Sequence, residues 1–174
     1  DYEQAGSELP PADFPDNGTV SSDVPAGPSA WYGMYVSSGP VERTTDLAAC
    51  HEKCKDVYAW IDIPGTDIDY PIAYCEDQED PFYFTHDMNG EPSDKGMIIT
   101  DSLNGTDFSD MMTLIYGQAP DDGTMFAQLS RFRDADFFKQ HDRVNIYTDD
   151  AQLVYRIYAC YTDAADHIFA SYEI

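Results

Sequence analysis

Four cysteines and four histidines are the side chains here that could supply a nucleophile, a base or a metal ligand. Cys50-His51-x-x-Cys54 places two thiols and an imidazole within one helical turn, the groups from which thiolate–imidazole pairs and zinc sites are made. No second Cys/His pair lies at a matching distance, so the motif is half a zinc site. Buried or half-buried thiols are the expectation, with no metal and no cofactor. Cys50 and Cys54 on one helix face have Cβ vectors running side by side, poor geometry for a disulfide. Cys75 and Cys160, each at a strand end, can pair with one another or with the helix, and spacing leaves that open. The acidic stretch from Asp101 to Asp107 invites a calcium reading. It fails because Leu103 stands where an oxygen ligand is required and no bidentate Glu follows, so solvated turn chemistry is expected. His86 and His141 fall in helix-associated segments and His167 lies near the end of the sequence; none sits in a context that pairs it with a cysteine.

These side chains must be carried by a framework that the hydrophobic pattern outlines. Thr44, Thr45 or Asp46 can cap a helix in which Leu47, Cys50 or His51, Cys54, Val57 and Tyr58 recur at three- and four-residue spacing. Strand signals follow at Trp60-Ile61-Asp62-Ile63, stopped by Pro64-Gly65, and at Ile68-Asp69-Tyr70-Pro71-Ile72. Further runs of β-branched and aromatic residues lie at 97–99, 113–116, 144–147 and 153–161. Short helices fit at 81–85 and 125–132 with a turn at 136–140, and 147–153 reads as a hairpin connection. Strands dominate without a βαβ rhythm, which favours an antiparallel sheet or barrel over a doubly wound fold.

Composition sets the outer bounds. The chain has 174 residues, with 33 Asp plus Glu against 9 Lys plus Arg and a formal charge of −24. A polyanionic partner needs a basic footprint, so nucleic acid is excluded and an anionic membrane surface is disfavoured. No apolar run reaches the ~18 residues of a spanning helix. With 43% hydrophobic and 14% aromatic residues, a packed core is affordable. Residues 1–40 hold six of the eleven prolines and no Lys or Arg, which reads as an acidic tail or linker, with the domain proper at 41–174. Within that segment the cluster Trp31-Tyr32-Gly33-Met34-Tyr35-Val36 is expected to dock on the domain.

One set of segments carries more information than any short motif. It runs Trp60-Ile61-Asp62-Ile63-Pro64-Gly65-Thr66-Asp67-Ile68-Asp69-Tyr70-Pro71-Ile72, then Tyr83-Phe84-Thr85-His86-Asp87, then Lys95-Gly96-Met97-Ile98-Ile99-Thr100-Asp101. It ends with Thr113-Leu114-Ile115-Tyr116-Gly117-Gln118-Ala119-Pro120-Asp121-Asp122-Gly123-Thr124-Met125-Phe126. In this order and spacing the segments resemble the class B sortases, cysteine transpeptidases of Gram-positive surfaces, over residues 44–170. The resemblance implies a mainly β fold: a sortase-like β-barrel with an N-terminal helix and short connecting helices. The family's enzymes are extracytoplasmic, held by an N-terminal membrane segment that this sequence does not show. They cleave a peptide sorting signal with a Cys thiolate and pass the acyl group to a cell-wall amine. That chemistry needs a thiol ionised below its ordinary pKa of ~8.5, a His to move protons, and an Arg to steady the oxyanion.

The sequence departs from this pattern at its centre. The family's His follows a Tyr-Gly pair, and here that place holds Gln118, with Ala119-Pro120 after it. An amide has no titration near pH 7 and cannot shuttle a proton, so Gln118 is expected to be non-functional. The family's Cys and Arg motifs lie further downstream than Ile174, so the barrel as given is expected to lack its last strands. The resemblance also implies groove positions at Phe84, Tyr116, Ile168 and Phe169. Two readings stand: a sortase-like surface protein that is catalytically inactive and binds a peptide or surface-protein partner in the groove, or part of a cell-wall-anchoring transpeptidase. Open strand edges would make either prone to edge-paired dimers.

Overall fold

The computed structural model describes residues 35–37, 47–76 and 82–162. The alternating apolar runs form seven strands of one sheet: β1 (Tyr35–Ser37), β2 (Val57–Asp62), β3 (Asp69–Tyr74), β4 (Ile98–Thr100), β5 (Ile115–Tyr116), β6 (Arg143–Tyr147) and β7 (Gln152–Arg156). They lie in the order β1-β7-β6-β2-β3-β4-β5. All pairs are antiparallel except β3–β4. Among the described residues the edges are β1 and β5. Helix α1 (Leu47–Lys53) precedes β2, and α2 (Ala135–Gln140) precedes β6.

The two faces of the sheet bury different clusters, and a bulge decides which residue goes where. Val57 pairs with Ala73 but Ala59 pairs with Ile72, so β2 carries one extra residue, Tyr58. A strand with period two would send Val57, Ala59 and Ile61 to the same face. The bulge breaks that parity. Val57 joins Ala73, Cys75, Met97 and Ile99 under Leu47 and Cys54. Ala59 and Ile61 join Ile63, Ile68, Ile72, Ile98, Ile146 and Leu153 on the opposite face, closed by Phe108, Met125 and Phe132. Strand β4 supplies both sides, Ile98 to one and Ile99 to the other.

Several sequence expectations change in extent. The helix at 125–132 is a run of 3-10 turns, Met125–Arg133, and that at 81–85 is a single 3-10 turn, Phe82–Phe84. The strand expected over 153–161 stops at Arg156. One further bond in register follows, the Ile157 N–H to the Asp142 carbonyl at 2.7 Å, and beyond it Tyr158 stands exposed. The strand expected at 113–116 keeps two residues, because the Leu114 N–H is taken by the Asn104 side chain at 2.9 Å. Tyr35–Ser37, inside the segment read as a tail, adds a strand to β7 with Tyr35 opposite Val154. No helix among the described residues is long and apolar enough to cross a membrane.

Candidate functional site

The end of β5 delivers Tyr116, Gly117 and Gln118 to the side of β4. Gly117 is a contact position: a Cβ there would press on the ends of the Ile98 and Phe126 side chains, so only hydrogen lets β5 lie this close. Immediately after it, the Gln118 carbonyl accepts from the Phe126 N–H at 2.9 Å. Its amide Nε2 donates to the Phe84 carbonyl at 3.4 Å. Gln118 therefore joins the strand end, the 3-10 run and the one-turn helix through both its backbone and its side chain.

Phe84 is brought to this point by its own local chemistry. The Met97 N–H donates to the Tyr83 carbonyl at 2.7 Å. Gly96, at φ +56°, lies under the Tyr83 and Phe84 carbonyls where a side chain would collide with backbone. On the outer side, Lys95 pairs with Asp122 at 2.6 Å. Asp122 also accepts from the Thr124 N–H and hydroxyl at 3.0 and 2.6 Å. Lys95 and then Thr124 hold the Asp122 carboxyl well below the usual range, at about 2. The pair ties the 119–123 loop, which follows Gln118, to Lys95.

Tyr116 is anchored from below by the 101–107 loop, which is turn and exposed at Leu103 and 105–107 as expected but buries Asp101 and Asn104. Asp101 is 4% exposed and Asn104 6% exposed. Asp101 accepts from the Tyr116 hydroxyl and from the Leu103 N–H, both at 2.9 Å. Asn104 acts as a substitute strand, accepting from the Leu114 N–H at 2.9 Å and donating to the Met112 carbonyl at 2.8 Å and the Asp110 carboxylate at 3.1 Å. Desolvation, and next the Asp101 carboxylate, push the Tyr116 phenol above its ordinary range. The acids of this stretch satisfy backbone and phenol donors.

The structure thus unites Phe84, Tyr116 and Gln118, and Ile168 and Phe169 lie outside the described residues, as does His167. Of the remaining histidines, His86 stacks on Phe82 with ring centres 3.9 Å apart, His141 packs against Phe137 and Gly65, and the buried Nε2 of His51 in α1 meets no hydrogen-bond partner among the described residues. Cys54 faces the Tyr83 hydroxyl at 3.2 Å, in the cluster that also holds Cys75 and against which Cys50, Phe84 and Tyr116 pack, and Cys160 meets the Leu129 carbonyl at 3.6 Å. Among the described residues no three His, Cys, Asp or Glu side chains converge as metal ligands. The Phe84 carbonyl partner of Gln118 and the Lys95–Asp122 pair were missed in the sequence. A backbone acceptor leaves no trace there, whereas an isolated Lys in so acidic a chain was a usable signal.

No family model matches the chain. Known relatives do. Sortase B of Listeria monocytogenes is 33% identical over 119 residues, 68% of this chain and 48% of that protein. The solved structure of Listeria monocytogenes sortase B aligns with a TM-score of 0.61 at 32% identity, over 70% of this chain and 68% of that one. A Streptococcus pyogenes class B sortase involved in pilus biogenesis gives 0.65 at 34% identity, over 70% and 67%. A mainly antiparallel sheet with few helices, its β5 end meeting a one-turn helix, is therefore a sortase-type sheet. The chain belongs to the class B sortase family. It spans about half the length of the curated relatives it matches, 48% and 43%.

Proposed function

We propose that this chain is a non-catalytic sortase-like surface protein that holds an extended peptide beside β5. The observation that carries this reading is Gln118. By the resemblance it stands at the family's histidine position, and its amide and carbonyl are committed to the Phe84 carbonyl and the Phe126 N–H. A neutral amide in that place orients backbone and offers a hydrogen bond, but it neither protonates a leaving amine nor deprotonates an incoming one. The Phe84 and Tyr116 rings would supply apolar contact, joined by Ile168 and Phe169 as the resemblance implies. The partner is a sorting-signal peptide or a surface protein that bears one, at the outer surface of a Gram-positive cell. A second copy pairing on an open sheet edge would appear as a doubled mass in size-exclusion light scattering.

Incubation of the chain with fluorogenic sorting-signal peptides and an amine acceptor should give saturable binding without cleavage or transfer. Gln118→His should leave turnover at background. Thiol-dependent turnover that vanishes when one cysteine is changed to Ala would overturn the reading. A second reading, that the chain is one part of a class B transpeptidase, is supported by its spanning about half of its curated relatives. It predicts that the complete natural gene product turns over the same peptides and loses that turnover on iodoacetamide treatment.

A further inference from the structure

We infer that the loop at 103–111 is a docking surface for a cationic, amphipathic segment of a partner protein, with Leu103 and Met111 as its apolar contacts and Asp107 as a charged one. Leu103 is 69% exposed and Met111 96%. Single exposed apolar side chains are ordinary on a folded surface. These two differ in the rigidity of what carries them. Phe108, between them in sequence, is buried in the cluster of Ile72 and Ile98 and stacks on Tyr58 with ring centres 5.6 Å apart. To get there it takes φ +56°, the left-handed region that a bulky side chain rarely adopts. Asn104 ties the two arms of the loop together. Its amide donates to the Asp110 carboxylate and the Met112 carbonyl, at 3.1 and 2.8 Å, and the Gly105 N–H donates to Asp110 at 2.7 Å. Leu103 directly precedes that clamp, and Met111 lies between its two partners. A loop pinned in this way has lost its backbone freedom before any partner arrives, so binding it orders little further.

Charge decides what covers these side chains. Residues 101–122 carry five aspartates and no Lys or Arg, in a chain of formal charge −24. Hydrogen bonds from Ser109, its backbone N–H first, hold the Asp107 carboxyl below its ordinary range, so it is charged at neutral pH. A second copy of the chain would bring the same aspartates against these and be repelled. Nucleic acid and anionic lipid are opposed in the same way. A wholly apolar partner would bury Asp107 without an opposite charge. Lys and Arg lay their aliphatic stems along apolar surface while the charged head stays free. A segment that carries them beside large apolar residues therefore meets both kinds of side chain here. Met111 suits such a contact, being unbranched and adaptable. The surface is separate from the Phe84–Gln118 contact and does not rest on the peptide reading above.

The probe is a fluorescein-labelled peptide of alternating Lys and Leu, titrated with the full chain and read by anisotropy. The same peptide with Glu in place of Lys is the charge control. The Lys peptide should bind and the Glu peptide should not. Leu103→Ser with Met111→Ser should weaken binding by about tenfold or more. Asp107→Asn should weaken it by about twofold to fivefold, and the amide keeps an acceptor for the Ser109 N–H at 3.0 Å. Two sets of changes elsewhere, Tyr158→Ser and the pair Asp149→Asn, Asp150→Asn, should matter less than either. All these side chains are exposed, so the variants should melt with the unmodified chain. Equal losses in the loop variants and the distant ones would mean unspecific attraction to an acidic chain, and overturn the surface. So would equal binding of the Glu peptide, or binding of neither peptide. A doubled mass in light scattering that Met111→Ser abolishes would make the occupant a second copy and overturn the partner.

Discussion

Tyr116 lies between the candidate site and the loop that supports it, and its hydroxyl reaches down to a carboxylate that is almost wholly buried. A buried acceptor that loses a donor keeps its desolvation cost, about 1–3 kcal/mol, without the return. Tyr116→Phe should therefore lower unfolding free energy by about that amount, read from urea titrations at neutral pH. Asp101 keeps the Leu103 N–H, so the upper end is not expected. The double change Tyr116→Phe, Asp101→Asn should cost less than the two singles added together, because both delete one interaction; strict additivity would mean that the phenol and the carboxylate do not sense one another. Gln118 follows a different logic. Its side-chain bond is long at 3.4 Å while its backbone bond to Phe126 is 2.9 Å. Changing the side chain thus tests function and leaves most of the local architecture in place.

Elements are held in place here by side chains that do the work of backbone. Helix α2 has six residues, too few to be stable alone, and it depends on Asp134, whose carboxylate accepts from the Asp136 and Phe137 N–H groups at 3.1 and 2.7 Å. Asp134→Ala should cost about 1 kcal/mol and speed hydrogen exchange at Asp136 and Phe137; unchanged exchange there would show that packing of Phe137 and Phe138 against Phe132 suffices. Most strands were legible because a half-buried sheet writes itself as period-two patterning: residues 60–63, 68–72, 97–99 and 144–147 all lie on or against the strands observed. The legible part ended wherever a contact distant in sequence set the boundary. The Asn104 side chain shortens β5, and the Tyr58 bulge reassigns Val57 to the second cluster. At the site, motif order exposed Gln118 and its neighbours, but its side-chain bond goes to a backbone carbonyl, that of Phe84, 34 residues away, which no side-chain pattern records.

On the scale of the whole molecule, the aromatic content and the charge of −24 bear on the same property, tolerance of alkali. Among the described residues four phenols stand above their ordinary range. Burial pushes Tyr58 up to about 12 and also raises Tyr155. Burial and then Asp56 raise Tyr83, as burial and then Asp101 raise Tyr116. A phenol whose folded pKa exceeds its unfolded value stays protonated in the fold while the unfolded chain ionises. Its contribution is then fully present below the unfolded value of about 10 and is lost as pH rises through the folded one. For Tyr58 that window runs from the ordinary value of 10.0 to about 12, and it is worth on the order of 2 kcal/mol. Unfolding free energy should hold level to about pH 9.5 and then fall steeply, Tyr58→Phe falling less steeply than the unmodified chain. Repulsion among the acids also weakens the fold, but their charge is already complete at neutral pH, and salt screens what is exposed far more than what is buried. Repeating the titration at high ionic strength separates the two causes. If salt abolishes the alkaline fall, surface charge governs it; if salt lifts the whole curve and leaves the fall, the buried phenols do, and the aromatic residues that build the core are also what limits its pH range.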